Sequence, residues 1–390
     1  MSEFGPTIAS IADMRKRAKA RLPRMVFDYI DGGAADELTM RDNERVYSEI
    51  KLKPRSAVSV PAVDLRTTVL GAEWSLPFGL APVGSSRMFW PRGEALAAAA
   101  AGEAGTSYTL STLSGTRLEE VKAATSGPAW YQLYLAGGRD VARGAIARAA
   151  AAGFSALVVT IDTNVAGNRE RDVRNGTKQL LSRDPLTMLP HVGQIITKPS
   201  WLLDFFRDGG LMSFPNVVLP SGPMGYGDIG QQLGESAVSW DDFDWISEAW
   251  GGPIVVKGVH TAEEAEKAAD LGASAVVVSN HGGRQLDGVP GTLRVLPEVL
   301  EAVGDRVEVL LDGGIRRGSD IVKALALGAR AVLVGRAYAY GLAAGGQAGV
   351  ARSISILREE IILTMKLLGC GSLGELGPDY LRLPGGWPGI

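Results

Sequence analysis

The stretch AEKAADLGASAVVVSN, at residues 265–280, joins an alanine-rich segment to an apolar run through a glycine. The alanine-rich part is typical of a helix, and glycine is a natural stop because the chain turns through positive φ there. The continuous apolar run Ala275–Val278 suits a strand that is buried on both faces of a parallel sheet. The stretch therefore predicts one helix followed by one buried strand.

The same pattern recurs along the chain, as AAAAAGEAGTSYTLST at 97–112, AIARAAAAGFSALVVTID at 145–162, LEAVGDRVEVLLDGG at 300–314 and IVKALALGARAVLVG at 321–335. With the apolar runs between these repeats, it predicts eight strands, at Phe78–Pro82, Tyr108–Thr112, Trp130–Tyr134, Ala156–Ile161, Ile254–Lys257, Ala275–Ser279, Val307–Leu311 and Ala331–Val334. Eight strands that alternate with helices favour an α/β fold with a single (β/α)8 TIM barrel. An open doubly wound sheet is the alternative.

Two segments lie outside the repeat. Residues 1–75 predict a helical N-terminal extension, and residues 76–390 the barrel, within one domain that spans residues 1–390. Residues 175–240 predict a long loop inserted after the fourth strand. A connection of this length is usually a functional lid, a disordered segment or a partner site.

Composition excludes several classes of protein. The chain has 390 residues, 46% of them hydrophobic, and a net charge of −3, so no strong field attracts nucleic acid. The single cysteine, Cys370, excludes an internal disulfide framework and fits a reducing cytoplasm. No signal peptide is recognisable, and no apolar run reaches the roughly 18 residues of a membrane span. We therefore expect a cytoplasmic protein.

Polar residues follow most of the predicted strands, where the active sites of such barrels lie. They are Ser111-Thr112, Gln132 and Tyr134, Thr160 and Asp162, Lys257, Ser279-Asn280-His281, Asp312-Gly313-Gly314 and Gly335-Arg336. After the last two strands, glycines would let backbone N–H groups approach an anion, and Arg316 and Arg336 would add charge. This arrangement predicts a phosphate site, although turn glycines with surface arginines are the simpler reading.

The sequence SNHGGRQLD at 279–287 is the most informative single element. It places His281 three residues from Arg284 at the end of the sixth strand. A base beside a fixed cation suits a substrate that carries a carboxylate next to a C–H or O–H proton. Asp162 could orient the imidazole, as a carboxylate does in a catalytic triad. No Cys/His cluster or HExxH spacing is present, so we expect no metal site.

Taken together, these motifs resemble the FMN-dependent α-hydroxy-acid dehydrogenase/oxidase family. The resemblance covers nearly the whole chain, through LPRMVFDYIDGGAADE at 22–37, LAPVG at 80–84, YQLY at 131–134, TIDTNVAGNRERDVRNG at 160–176, VKG at 256–258, SNHGGRQLDG at 279–288 and LDGGIRRGSDIVKALALGARAVLVGR at 311–336. Any one motif alone is weak, but their order is specific. The resemblance implies FMN as the cofactor and a small 2-hydroxy acid as the substrate.

The resemblance also implies a role for each matching residue near the substrate. His281 would be the catalytic base that removes the substrate proton, with Asp162 beside it, and Tyr134 would lie near the reacting hydroxyl. The residues that match the clamp on the substrate carboxylate are Arg169, Arg284 and Tyr29.

For the flavin, Lys257 resembles the lysine at the N1/O2 edge, where a cation stabilises the reduced anionic ring. Residues that would lie along the ring are Pro82, Val83 and Gly84. Its hydrogen-bonding partners would be Ser111, Gln132, Thr160 and Ser279. The contacts to the ribityl phosphate would come from Asp312, Gly314, Arg316, Gly335 and Arg336.

Within the family, the sequence is most similar to (S)-mandelate and L-lactate dehydrogenases. Leu113 and Ala166 leave room for a side chain larger than that of glycolate. The C-terminal half also resembles pre-mycofactocin synthase, which acts on a peptide-derived substrate, but that branch lacks the arginine at Arg284. A non-redox phosphate-binding barrel has no need for Lys257, His281 and Arg284 together, and an inactive binding protein would have lost some of them.

The insertion carries an apolar cluster, made of Trp201, Leu202, Leu203, Phe205, Phe206, Leu211, Met212, Phe214, Val217, Val218 and Leu219. If exposed, it would suit peripheral contact with the inner face of the cell membrane, as in mandelate dehydrogenase, with a quinone as electron acceptor. Otherwise it packs over the barrel mouth or in a subunit interface, and oxygen is the alternative acceptor. Only Lys198 and Arg207 are basic nearby. The family resemblance implies a homotetramer.

Overall fold

Three helices precede the barrel: α1 (Ile11–Arg21), α2 (Arg24–Asp31) and α3 (Leu38–Glu49). The computed structural model describes residues 7–177, 185–210, 213–225 and 237–387. Ser10 caps α1, since its hydroxyl accepts a hydrogen bond from the backbone N–H of Asp13. Pro23 separates α1 from α2 because the residue before a proline disfavours helical geometry. The apolar faces of α1 and α2 are buried, which attaches the extension to the rest of the molecule.

Eight parallel strands form a closed barrel. They are β1 (Phe78–Leu80), β2 (Tyr108–Ser111), β3 (Ala129–Leu133), β4 (Ala156–Thr160), β5 (Ile254–Val259), β6 (Ala275–Val278), β7 (Glu308–Asp312) and β8 (Ala331–Val334). The barrel closes where β8 pairs with β1, with Val332 opposite Phe78 and Val334 opposite Leu80. The predicted TIM barrel is confirmed, its strand limits agree to within two residues, and the open-sheet alternative is wrong.

Twelve further helices occur in the described residues. They are α4 (Gly93–Glu103), α5 (Leu118–Ala123), α6 (Arg139–Ala152), α7 (Glu170–Asn175), α8 (Pro185–Met188), α9 (Val192–Ile196), α10 (Pro199–Arg207), α11 (Phe243–Trp250), α12 (Ala262–Asp270), α13 (Thr292–Val303), α14 (Gly318–Ala326) and α15 (Arg336–Leu368). Helix α15 is interrupted at Gly345 and Gly346, whose backbone angles are not helical. No helix in the described ranges is both long and apolar enough to cross a bilayer.

The amino end of the barrel is closed by a hairpin of two short strands, Thr67–Val69 and Ala72–Trp74. The backbone N–H of Leu70 donates to the carboxylate of Glu308, the first residue of β7. Trp74 is fully buried among side chains of the barrel interior, with its ring 5.4 Å from that of Trp130. The hairpin therefore leaves only the carboxyl end of the barrel open.

The segment between β4 and β5 is docked on the N-terminal extension. Trp201 of α10 is buried, and its indole N–H donates to the carbonyl of Met88 at 2.8 Å. Asp204 forms an ion pair with Arg21 at 2.5 Å, and Lys198 donates to the carbonyl of Ala20 at 2.6 Å. These contacts hold α10 against the C-terminal end of α1 and against the loop that follows β1.

The apolar cluster of this insertion is divided between the interior and the surface. Trp201, Phe214 and Val217 are buried, whereas Leu203, Phe206 and Val218 are exposed. Leu202, Phe205 and Leu219 are half-buried. Leu211 and Met212 lie outside the described residues. Packing against the same chain thus accounts for only part of the cluster.

We expect Trp74→Ala to lower the free energy of unfolding by about 3–5 kcal/mol, because it removes a large buried ring. Urea unfolding would measure the change. Trp240→Ala, at a half-buried tryptophan, is the matched control and should cost less. If both variants unfolded at the same urea concentration, the hairpin would not be part of the barrel core.

Candidate active site

A cavity of about 710 Å³ opens at the carboxyl ends of the strands. All the site residues predicted from the sequence line it, except Asp162 and Ser279. Its volume is within the range of about 300–1,000 Å³ that is usual for small-molecule sites. The strand ends therefore bring the predicted residues together in one place.

His281 and Asp162 form a hydrogen-bonded pair at this cavity. Nδ1 of His281 lies 3.1 Å from Oδ1 and 3.3 Å from Oδ2 of Asp162. Burial raises the pKa of the Asp162 carboxyl, but His281 and Lys257 outweigh that effect and hold the pKa below its usual value. An ionised Asp162 accepts the Nδ1 proton, which leaves Nε2 of His281 unprotonated in the neutral ring.

The backbone at His281 has a φ of +57°, which is uncommon for a residue other than glycine. Its N–H donates to the hydroxyl of Ser279 at 3.1 Å. The same hydroxyl accepts a hydrogen bond from Nζ of Lys257 at 2.8 Å. Ser279 thus links the histidine to the lysine, and the left-handed turn sets where the imidazole points.

Lys257 is a buried cation, with a relative exposure of 3%. Its Nζ lies 2.9 Å from Oδ2 of Asp312. Burial lowers the pKa of Lys257, but the carboxylates of Asp312 and Asp162 outweigh it and raise the pKa above its usual value. The lysine therefore keeps its charge although its side chain is buried.

At the other side of the cavity, Arg284 has no carboxylate partner among the described residues. Its Nη1 donates to the carbonyls of Tyr29 at 2.7 Å and Gly32 at 3.0 Å. Its guanidinium also lies 5.1 Å from the centre of the Tyr29 ring. Burial and the neighbouring Arg169 lower the pKa of Arg284 to about 10, so it remains charged. A half-buried cation without a carboxylate partner favours an anionic ligand.

Arg169 and Tyr134 complete this side. Nε of Arg169 lies 3.8 Å from Oδ2 of Asp172, a longer distance than a good hydrogen bond requires. Burial, with the nearby Asp162 charge, raises the pKa of Tyr134 well above its usual value. Tyr134 is therefore a neutral hydroxyl that can donate or accept a hydrogen bond.

The predicted phosphate site is built from β7, β8 and helix α15. Helix α15 begins after Gly335, and no side chain caps its first turn. By contrast, Asp320 accepts hydrogen bonds from the backbone N–H groups of Arg316 and Arg317 at the start of α14. The N-terminus of α15 is thus the one that suits an anion.

The two arginines of this region are held differently. Arg336 donates to the carbonyls of Ile30, Gly32 and Gly282, at 3.0, 2.7 and 2.8 Å. Arg316 forms an ion pair with Glu44 at 2.8 Å. Both line the cavity, so the phosphate end carries two positive charges.

Three buried polar atoms of cavity-lining residues have no hydrogen-bond partner among the described residues: Gln132 Nε2, Thr160 Oγ1 and Asp312 Oδ1. Buried polar atoms are nearly always hydrogen-bonded, so these three indicate a polar ligand. A flavin ring, with donors and acceptors along its edge, fits them, and the phosphate of FMN fits the cationic end. The cavity therefore suits FMN.

Two residues without a predicted role also belong to this site. Gln285 lines the cavity, and its side-chain amide donates to the carbonyls of Asp162 at 2.8 Å and Val165 at 2.9 Å. Its oxygen accepts from the N–H of Gly167 at 3.1 Å. Asp172 lines the cavity beside Arg169. Gln285 stands within the SNHGGRQLD motif, and that position is the signal that could have indicated it.

Comparison with known proteins settles the family. Residues 18–383 match the model of the FMN-dependent dehydrogenase family. The chain belongs to that family. As an FMN-dependent dehydrogenase it is an oxidoreductase whose cofactor is FMN, so the non-redox barrel considered from the sequence is wrong.

Several relatives of this FMN-dependent dehydrogenase are similar over their full length. An L-lactate dehydrogenase of Caulobacter sp. (strain K31) is 43% identical over 382 residues, which cover 96% of this chain and 98% of that protein. An L-lactate oxidase of Nostoc sp. is 42% identical over 378 residues, with 96% and 98% covered. The crystal structure of the monotopic membrane protein (S)-mandelate dehydrogenase has a TM-score of 0.90 and 37% identity, with 97% of this chain and all of that chain covered.

We expect Gly258→Ala to reduce turnover on the order of 10²-fold, the usual cost of misplacing a reacting group by about 1 Å. Gly258 has a φ of +102°, and a Cβ there would lie 2.7 Å from Cβ and Cγ of Asp162. Turnover per bound FMN would measure the loss. Gly272→Ala is the matched control, because Gly272 has a φ of +82° but no atom within 4 Å of the added carbon. Equal losses in the two variants would mean that backbone strain, not the displacement of Asp162, is responsible.

Proposed function

We propose that this chain oxidises an L- or (S)-2-hydroxy acid, of the mandelate or lactate type, to the 2-oxo acid, with His281 as the base. The observation that carries the proposal is that one cavity is lined both by His281, which is paired with Asp162, and by Arg284, which has no carboxylate partner in the described part of the chain. A base and a half-buried cation at one cavity suit a carboxylate next to a reacting carbon.

In this mechanism, Nε2 of His281 removes the hydroxyl proton of the substrate. Asp162 stabilises the imidazolium that forms, and its hydrogen bond to Nδ1 keeps the ring in the required tautomer. The neutral hydroxyl of Tyr134 would bond the reacting oxygen. The substrate leaves as the 2-oxo acid after losing two electrons and two hydrogens, one of them the proton on His281.

The carboxylate of the substrate would be held by Arg284 and Arg169, with the hydroxyl of Tyr29 as a further donor. Two guanidiniums offer the planar pairs of N–H groups that match a carboxylate.

The chemistry that FMN would supply when bound is acceptance of the C2 hydrogen together with the two electrons of the C2–H bond. The residues that would lie at its ring are Pro82, Val83, Gly84, Ser111, Gln132, Thr160 and Lys257, with Ser279 acting through Lys257. Those that would hold its phosphate end are Asp312, Gly314, Arg316, Gly335 and Arg336. The charges support this orientation of FMN, because Lys257 would balance the negative charge of the reduced ring, and the arginines would balance that of the phosphate.

Leu113 and Ala166 would bound the pocket for the substrate side chain. Both line the cavity, and Val165 and Val173 line it as well. An aliphatic wall suits a side chain larger than hydrogen. Relatives named for lactate and for mandelate are both consistent with this pocket.

We expect His281→Ala to retain FMN and to reduce flavin reduction by about 10²–10⁴-fold, because the general base is lost. Stopped-flow absorption under anaerobic conditions would measure the rate, and denaturation would measure the FMN content. His191→Ala, at a histidine outside the cavity, is the matched control and should react at the normal rate. A His281→Ala enzyme that is reduced as fast as the wild type would rule out His281 as the base.

For location, we propose that the insertion makes peripheral contact with the inner face of the membrane and that a quinone is the acceptor. Support comes from exposed apolar residues on α8, α9 and α10 and on the short 3-10 turn that joins α8 to α9: Leu186, Leu189, Val192, Ile196, Leu203 and Phe206. A related structure is that of a monotopic membrane protein. The sequence shows only Lys198 and Arg207 close to the apolar cluster, but α10 lies against α1, which carries the exposed Lys16 and Lys19.

We also propose a homotetramer. Leu363 and Leu367 lie one turn apart on α15 and are exposed, which supports a subunit contact there.

To test the membrane proposal, the FMN-loaded protein would be sedimented with vesicles that contain anionic lipid. We expect the wild type to sediment and the double variant Leu203→Asp/Phe206→Asp to stay in solution, because burial of these side chains drives the binding. Leu363→Asp/Leu367→Asp is the matched control and should still sediment. If the wild type stayed in solution and oxygen reoxidised it rapidly, a soluble oxidase would replace this proposal.

A further inference from the structure

Arg171 on helix α7 contacts three carboxylates of the N-terminal extension. Its Nη1 lies 3.1 Å from Oδ2 of Asp31 and 3.8 Å from Oδ1 of Asp28, and its Nη2 lies 2.5 Å from Oε2 of Glu37. The three carboxylates are 5–12% exposed, whereas the arginine is 34% exposed. Arg171 thus extends from the surface into a buried acidic cluster.

The segment that carries these carboxylates also holds the arginines of the site. The carbonyls of Tyr29 and Gly32 accept from Arg284, and those of Ile30 and Gly32 accept from Arg336. Any movement of residues 29–32 would therefore move the Arg284 guanidinium.

Helix α7, for its part, carries Arg169. Arg169 is the residue that precedes the first turn of α7, two positions before Arg171. Arg284 and Arg169 are thus attached to two separate segments, the end of α2 and the start of α7.

Asp31 and Asp28 have other hydrogen-bonding partners, so Arg171 does more than balance their charges. Arg15 already donates two hydrogen bonds to the carboxylate of Asp31, at 2.5 and 2.7 Å. The hydroxyl of Tyr340 also donates to Asp31, at 2.8 Å. Asp28 accepts from Asn175 at 2.6 Å. Because Asn175 is the last residue of α7, that helix is already connected to Asp28, and what Arg171 adds is an ionic connection from α7 to Asp31 and Glu37.

We propose that Arg171 is a positioning residue that sets the distance between Arg169 and Arg284, and so shapes the site for the substrate carboxylate. This inference rests on the proposed role of those two arginines as the carboxylate clamp. A backbone hydrogen bond also joins the two segments: the N–H of Ala35 donates to the carbonyl of Asn168 at 2.8 Å. Arg171 joins the same two segments through ion pairs, with Asp31 before the Gly32-Gly33 turn and with Glu37 after it.

The test uses the FMN-loaded enzyme and the variant Arg171→Met, which keeps most of the side-chain length and removes the charge. We expect the dissociation constant of an unreactive carboxylate that lacks the 2-hydroxyl, followed by flavin absorption, to rise by about tenfold, since a misplacement of about 1 Å can cost on the order of 10²-fold. KM should rise by a similar factor, while kcat should change by less than about threefold because His281 and Lys257 are untouched. Arg171→Lys should recover part of the affinity.

Arg174→Met is the matched control. Arg174 lies on the same helix, is exposed, and pairs with Glu170 of the same helix. It should leave the dissociation constant, KM and kcat unchanged. If Arg171→Met lowers the melting temperature but leaves KM and the dissociation constant as in the wild type, the residue is structural only and the inference is wrong.

Two further variants separate the outcomes. If Arg169→Met does not weaken carboxylate binding, the clamp itself is wrong, and the proposed function fails at that point. If Arg169→Met weakens binding and Arg171→Met does not, only the present inference fails. Should Arg171→Met lose FMN, Glu37→Gln removes one ionic partner and keeps the side-chain shape; a normal KM in that variant would overturn the inference.

Discussion

The guanidinium of Arg284 is a half-buried cation whose partners in the described part of the chain are two carbonyls and an aromatic ring, rather than a carboxylate. Burying a charge without an opposite charge is costly, so the surroundings must be arranged around it. Arg336 has the same character, with three carbonyls as its hydrogen-bond partners. Both depend on the short segment that ends α2. The extension before the barrel therefore lines the cavity and holds both guanidiniums in place there.

The rest of the site follows from the barrel. Parallel strands that are buried on both faces bring their carboxyl ends to one rim, and the hairpin with Trp74 fills the opposite end. Cationic groups from different strands, such as Lys257 and Arg336, can then share one cavity at separate places. Asp162 and Lys257 each have a pKa shifted towards the ionised form, so a negatively charged carboxylate and a positively charged amine are held in the same part of the barrel. In the proposed mechanism the carboxylate would support proton removal by His281, and the lysine would balance negative charge on the flavin.

Much of this was predictable from the sequence for identifiable reasons. Continuous apolar runs such as Ala275–Val278 can be buried on both faces only as strands of the parallel barrel, so the predicted strand limits agree with the structure to within two residues. His281 and Asp162 stand at strand ends, and the barrel alone brings them together. Arg171 and Gln285 were missed because their partners, Glu37 and Val165, are remote in sequence and belong to irregular segments. The position of the apolar side chains in the insertion could not be predicted, because apolar content does not show which side chains pack inward. On one helix, Trp201 is buried whereas Phe206 is exposed.

The central claim is that the guanidiniums of Arg284 and Arg169 recognise the substrate carboxylate and place its hydroxyl at His281. The most direct measurement is the rate of flavin reduction when the FMN-loaded wild-type protein is mixed anaerobically with an (S)-2-hydroxy acid or with its amide. Mandelate with mandelamide, and lactate with lactamide, are suitable pairs because each differs only in the charge of the group that Arg284 and Arg169 would bind. The account predicts rapid loss of flavin absorption with at least one acid and a much slower loss with its amide. Equal rates for acid and amide would contradict it.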